Sequence, residues 1–346
     1  MNLNKPGVES SESTVRIGSI MALPAVLAAL GENPDSVLAE AGFDISLFDN
    51  PDNRVSFNAR GKLLAHCVAK TGCKNLGLMI GQKSGLNSLG LIGLLMKQAT
   101  TVGTALNCLR RYFHLHVRGA TVTLESDGSS AVLCYTAYQS SANAGEQVGD
   151  GAVAILFNIL RELCGPGWKP IEVRFARPID DDIHPYRSFF KAPLLFGCTQ
   201  NAVVFDGKWL NHRMPVCDPE LRRFLLFQID QIEAQHTDDF PEQVRNVLGT
   251  SILSGHTASN EIAVLFSMHS RTLSRRLAGN GTSFQALLDE TRFTMAQQLL
   301  GSSKLEIKQI AETLAFADAS SFIRTFKRWS GTTPAQWRDN KLKVTE

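Results

Sequence analysis

The chain has 346 residues, of which 44% are hydrophobic, enough apolar material for two packed domains rather than one. Its formal net charge of +2 excludes a protein that relies on overall basicity, so any nucleic-acid partner must be sought in where the charges sit. No uninterrupted apolar run of about 20 residues occurs, so no membrane span is expected.

Residues 1–16 read as a disordered tail with a Ser-rich stretch from Glu9 to Thr14. The apolar run Ile20 to Leu30 follows Arg16 as a signal-peptide core would, but no small-residue cleavage site comes directly after it. Gly31-Glu32-Asn33-Pro34 stops it and Ser36 to Gly42 restarts a helix, so the run is expected to be a first core helix. Apolar residues at Leu63, Leu64, Cys67 and Val68 predict a helix over 58–71, and Ala105, Leu106, Leu109 and Phe113 another over 102–113. His114 and His116 then alternate as on a strand face; without a nearby carboxylate or cysteine in sequence they read as ordinary histidines rather than a metal pair.

Alternation predicts strands at 120–124, 131–135 and 171–175, with a long helix from Glu146 to Cys164 between the last two. Tyr186, Phe189, Phe190 and Phe196 are candidates for stacking on a ligand, but their apolar neighbours fit core packing better. The seven cysteines show no CxxC pair and sit mostly among apolar neighbours, which points to reduced, buried thiols, a cytoplasmic home and neither metal nor cofactor. The segment 17–232 is therefore expected to be an α/β (α+β) domain. A polar stretch follows, so 233–240 reads as a linker and 241–346 as an all-α domain.

The helical part repeats itself. Ile262, Ala263 and Phe266 correspond to Ile310, Ala311 and Leu314; after one extra residue in the turn, Leu273, Arg275 and Leu277 correspond to Phe322, Arg324 and Phe326. Each unit reads as a supporting helix, a tight turn and a second helix that anchors two large apolar residues four apart and turns a polar face outward. That face carries Arg271, Ser274 and Arg275 in the first unit and Ser320, Ile323, Arg324 and Lys327 in the second, the candidates for contact with a DNA major groove. The clusters Arg271, Arg275, Arg276 and Arg324, Lys327, Arg328 show no acidic neighbour in sequence; Arg276 and Arg328 are expected to meet phosphate or solvent. Between the units, 283–302 reads as one continuous helix of about 20 residues and roughly 30 Å, close to the roughly 34 Å between successive major-groove faces.

Residues 240–340 resemble the DNA-binding domain of the AraC/XylS transcription regulators, including the closing run Phe326-Lys327-Arg328-Trp329-Ser330-Gly331-Thr332-Thr333-Pro334-Ala335-Gln336-Trp337-Arg338. The family's turns usually carry glycine where Ser267 and Ala315 stand here. Residues 22–225 resemble the arabinose-binding-like domain of the branch of ornithine-utilisation and virulence regulators. The matching marks are Ser88 to Leu95, Phe175-Ala176-Arg177-Pro178, Tyr186 to Phe190 with Leu195-Phe196-Gly197, and Asn201 to Asp206. The resemblance implies a homodimeric activator that binds double-stranded operator DNA, contacts RNA polymerase and senses a small-molecule effector of unspecified identity. The alternative is a regulator whose first domain serves only protein interaction or constitutive dimerisation. An internal pocket of roughly a few hundred Å³ with convergent polar groups would favour the sensor and a filled core the alternative. No nucleophile elbow, phosphate loop or dinucleotide fingerprint points to an enzyme.

Overall fold

Thr14 to Arg16, at the end of the polar lead-in, form a strand. In the computed structural model, which describes residues 14–117, 120–137, 145–179, 182–215, 217–235, 240–253, 255, 257–266, 268–302 and 305–342, β1 (Thr14–Arg16) pairs antiparallel with β2 (Arg54–Ser56). The expectation of a disordered tail to residue 16 is thus corrected at its end. Val15 is fully buried, and Arg16 is tied to Asp52, which gives these three residues a reason to be ordered.

The chain divides into two compact units, residues 1–233 and 234–346. In the first, two short helices, α1 (Leu23–Ala29) and α2 (Pro34–Glu40), follow the lead-in, and Leu23, Val26 and Leu27 of the apolar run are core residues. The first long helix, α3 (Phe57–Thr71), starts where the Ser56 hydroxyl accepts from the Ala59 N–H and ends on Gly72, whose φ of 67° suits only glycine well. Next come α4 (Leu76–Gln82), α5 (Leu91–Lys97) and α6 (Val102–His116), the last capped by Thr101. No stop signal interrupts α6 before Val117, so His114 and His116 lie on a helix, not on a strand face. His114 faces the Glu233 carboxylate at 3.2 Å and His116 is buried.

The hairpin β3 (Ala120–Ser126) and β4 (Ser130–Ala137) leads to α7 (Gly145–Cys164), then β5 (Glu172–Arg174), α8 (His184–Phe190), β6 (Leu194–Leu195) and β7 (Asn201–Asp206). The five strands form one sheet in the order β3-β4-β7-β5-β6, antiparallel except for the short β5/β6 pair. The unit is therefore α+β. Gly77 and Gly81 let α4 lie directly on α7: a Cβ at Gly77 would sit 2.0 Å from the Gln147 carbonyl oxygen, and one at Gly81 2.5 Å from that of Gly151.

The tempting aromatics pack together. Phe175 stacks on Phe196 at 4.9 Å and meets Tyr186 edge-on at 5.5 Å, while Tyr186 and Phe190 are at most 1% exposed. At the edge of this cluster Asp150 of α7 accepts a hydrogen bond from the Tyr186 hydroxyl at 2.6 Å and one from Arg177 Nε at 3.1 Å. Burial pushes the Asp150 carboxyl up to about 6 even though Tyr186 and Arg177 both favour its charged form. The Phe175-Ala176-Arg177 and Tyr186 marks therefore tie α7, α8 and the loop after β5 around one buried carboxylate.

The last helix of this unit, α9 (Pro219–Gln235), runs through Glu233, where a linker was expected to begin. It buries Leu225 and Ile229 in the first core. The second unit is all helix: α10 (Phe240–Leu253), α11 (Ser259–Leu265), α12 (Ser270–Gly279), α13 (Phe284–Ser302), α14 (Ile307–Thr313), α15 (Ala319–Ser330) and α16 (Pro334–Leu342). Phe240, which the linker expectation included, is 2% exposed in the second core, so of that expected linker only residues 236–239 lie outside the described residues. No single helix among the described residues is long and apolar enough to cross a membrane.

Candidate nucleic-acid interface

The two repeats fold into the same device. Ile262 and Ala263 of α11, and Ile310 and Ala311 of α14, are each at most 1% exposed, and the small alanines let the second helix of each motif cross closely. After each supporting helix the chain closes with the same backbone bond, Met268 N–H to the Ala263 carbonyl at 3.0 Å and Phe316 N–H to the Ala311 carbonyl at 3.0 Å. These six-residue closures are those of a Schellman turn. In the second motif Ala315 takes the left-handed residue of that turn, at φ 55°. Ser267, the counterpart in the first motif, lies outside the described residues.

A left-handed alanine is strained by its Cβ, whereas glycine is not. Ala315→Gly is therefore expected to stabilise the chain by about 1 kcal/mol, read as a higher midpoint in urea unfolding. A lower midpoint would show that the Cβ contributes packing that outweighs its strain.

The anchors work as their spacing requires. Leu273 and Leu277 of α12, and Phe322 and Phe326 of α15, are all fully buried. Because α-helical side chains four apart share a face, these anchors leave the opposite faces outward: Arg271, Ser274, Arg275, Ser320, Ile323, Arg324 and Lys327 are all exposed. Asp318 caps α15 by accepting from the Ser321 N–H at 2.8 Å, and Gly331 at φ 78° ends it before Pro334 opens α16.

The two basic clusters are narrower than their sequences suggest. Arg328 donates to Asp289 of α13 at 2.8 Å, so the expectation that its cluster has no acidic neighbour is corrected by a carboxylate distant in sequence. Arg276 lies 4.1 Å from the centre of the Phe240 ring, which holds it as a packing residue on α10. Among the described residues Arg271, Arg275 and Lys327 have no ion-pair partner, and Arg324 touches only the Ser321 hydroxyl, at 3.4 Å.

The connecting helix α13 has 19 residues, about 28 Å at 1.5 Å per residue. Its Leu287, Leu288, Ala296 and Leu300 are buried, and it packs on α10 and α12 as well as on α14 and α16. Sequence reasoning missed its most instructive residue, Arg292. That guanidinium donates to the Leu314 carbonyl at 3.0 Å and the Ala315 carbonyl at 2.8 Å and lies 4.6 Å from the Phe316 ring centre. It satisfies the orphan carbonyls at the end of α14 and clamps the second turn to the rod.

Family models place both halves. The arabinose-binding domain of AraC transcription regulators matches residues 31–214, just over half of the chain, and a helix-turn-helix domain matches residues 262–340. The chain belongs to the AraC family. It is a DNA-binding AraC-family transcription regulator with an arabinose-binding-like first domain, and not an enzyme. Similar AraC-family proteins include the ornithine utilization regulator of Pseudomonas aeruginosa, 24% identical over 337 residues that span 92% of this chain and 94% of that one. The regulator VirS of Mycobacterium tuberculosis is 24% identical over 328 residues, spanning 94% and 96%. Among solved structures, the transcriptional regulator CdpR of Pseudomonas aeruginosa aligns over 98% of this chain and 100% of its own, at 20% identity and a TM-score of 0.47.

Proposed function

We propose that this regulator is an activator that reads operator DNA with the outer faces of α12 and α15, dimerises through α9, and responds to a small molecule held by its first unit. The observation that carries the DNA reading is the pairing, in both motifs, of two fully buried anchors with an outward face on which Arg271, Arg275, Arg324 and Lys327 form no ion pair among the described residues. Arg275 and Arg324 occupy matching positions on those faces, where a guanidinium can span O6 and N7 of a guanine. Arg271 and Lys327 suit phosphate, Ser274 and Ser320 suit either, and Ile323 suits only a thymine methyl or another apolar surface. Contact with RNA polymerase would be the output, in the cytoplasm where the chromosome lies.

The test is selection of duplexes from a random pool by the full chain. The expected product is a motif of two elements about 10 base pairs apart, centre to centre. Failure to enrich any sequence over the starting pool overturns the reading.

Dimerisation rests on α9. Phe224 and Phe227 are both 56% exposed on α9, away from the buried Leu225 and Ile229, and Leu221, one turn before Leu225, is 41% exposed at the border between the two faces. Arg223 and Asp230 are exposed beside the stripe, seven positions apart, so an antiparallel pairing with a second copy sets each arginine against the other's aspartate. Replacing Phe224 and Phe227 by glutamate is expected to shift the sedimenting species from dimer to monomer while leaving the melting temperature nearly unchanged. A dimer that persists in this variant would move the interface elsewhere.

A further inference from the structure

The first unit holds a partly open cavity of about 60 Å³ between α3, α4, α6, α7 and the β3/β4 hairpin. This is smaller than the few hundred Å³ by which the sequence would have recognised a sensor pocket, but its polar groups do converge. Most of the lining is apolar, with Phe113, Ile155 and Leu156 among it. Arg60 and Tyr135 line it as well, and they are 5% and 4% exposed. Among the described residues the Arg60 Nε and Nη2 and the Tyr135 hydroxyl are buried with no partner in full hydrogen-bond geometry; the guanidinium lies 4.7 Å from the Phe57 ring centre and close enough to Tyr135 to act on its oxygen. No aspartate or glutamate lines the cavity, and Arg60 forms no ion pair among the described residues.

A buried guanidinium without a counter-charge is costly, and such groups in native proteins ordinarily have a partner. The surroundings reinforce the sign of the one that is missing. His116, also in the lining, is held well below the usual histidine range by burial and then by Arg16, Arg60 and Arg54, so it stays neutral. Its Nδ1 lies 3.3 Å from Arg16 Nη1, which can only donate, so Nδ1 is the acceptor and the ring proton sits on Nε2. Burial raises the Tyr135 phenol while the Arg60 guanidinium, close by and donating toward the phenol oxygen, draws it back, which leaves the Tyr135 O–H free to donate beside Arg60. A guanidinium and a phenol side by side, with no carboxylate in a mostly apolar lining, describe a receptor for an anion with an apolar tail. Carboxylate geometry matches the guanidinium fork, and Tyr135 can supply one further hydrogen bond.

We infer that this cavity binds a short aliphatic monocarboxylate, its carboxylate held by Arg60 and Tyr135 and its chain lying against the apolar wall. A water site takes about 10–15 Å³, so the space suits a ligand of about four to six non-hydrogen atoms. This deepens, and rests on, the proposal that the first unit senses a small molecule. It names the effector class and two recognising residues.

The test uses the full chain with acetate, propionate, butyrate, pentanoate and decanoate at constant ionic strength, against the alcohols of matching length, followed by melting temperature. The expected result is a rise of about 5–10 °C at a hundred times Kd for the best short carboxylate, with none for its alcohol. Decanoate, too large for the space, should have no effect. Arg60→Met should abolish the carboxylate response yet melt no lower than the wild type without ligand, because it removes an uncompensated buried charge. Tyr135→Phe should weaken the response by about tenfold in Kd, the loss of one hydrogen bond. A response to alcohols and not carboxylates overturns the carboxylate assignment and leaves small-molecule sensing standing. No response to any compound overturns both. A carboxylate response that survives in Arg60→Met overturns the site, and one that leaves binding to the selected duplex unchanged keeps the site but removes its sensing role.

Discussion

Replacing Arg275 and Arg324 together by alanine is expected to weaken binding to the selected duplex by about 2–6 kcal/mol, from about 1–3 kcal/mol for each bidentate contact with a base. Both side chains are exposed, so the losses come from the interface and not from unfolding. The anchors Leu273, Leu277, Phe322 and Phe326 are untouched, and the melting temperature should be unchanged. Binding to random duplex should fall much less, since nonspecific affinity comes from phosphate neutralisation. Competition titrations on both duplexes at fixed salt measure the difference. Equal losses on the two would reduce Arg275 and Arg324 to phosphate contacts. The singles should differ as well: α15 presents Ile323 beside Arg324, while α12 presents Ser274 beside Arg275, so more of the selectivity should vanish with Arg275.

A comparable loss, in stability rather than affinity, is expected from Arg177→Met, at about 3–5 kcal/mol near pH 7.5. The substitution leaves the Asp150 carboxylate buried with the Tyr186 hydroxyl but without its countercharge. The pH dependence follows from linkage. Asp150 titrates at about 6 in the folded chain against 3.8 for the ordinary group, so the folded state binds the extra proton between those values. Its contribution to stability is therefore greatest below that window, falls as pH rises through it, and is constant above. Loss of Arg177 raises the folded value further, so the variant should recover part of its deficit at pH 5. Urea midpoints at pH 5 and 7.5 test this, and a deficit independent of pH would assign the loss to packing around Tyr186 and Phe196. A paired Asp150→Leu substitution should restore part of the stability, because it removes the stranded charge.

The second unit was legible because its information is local and repeated. Period-3.6 stripes, a cap at Asp318, a stop at Gly331 and paired anchors four apart all act within a few residues, so the sequence displays them directly. What escaped was long-range. Arg328 looks unpaired in sequence because Asp289 sits on another helix, and Arg292 looks like a solvated helix residue although it caps α14. The first unit was harder for the same reason. Its β6 has two residues and exists through parallel pairing with β5, a match that no local pattern announces. His114 and His116 show how weak a two-residue alternation is when nothing stops the preceding helix. Arg60 offered no signal at all: an arginine early in a helix usually faces water, and only the packing of α3 against the rest of the unit takes it inside.

On the proposed reading by α12 and α15, the Arg292 clamp makes the helical phase of the two elements a strict requirement of the operator. Since α13 is held to α14 by the Leu314 and Ala315 carbonyls, the second motif cannot swivel on the rod to follow a displaced site. One base pair inserted between the two elements turns the far one by about 35° and moves it about 3.4 Å. A flexible tether would absorb that displacement, whereas a clamped one loses the far contacts altogether. Single insertions and deletions between the elements should therefore weaken binding to the selected duplex as thoroughly as substitutions within them.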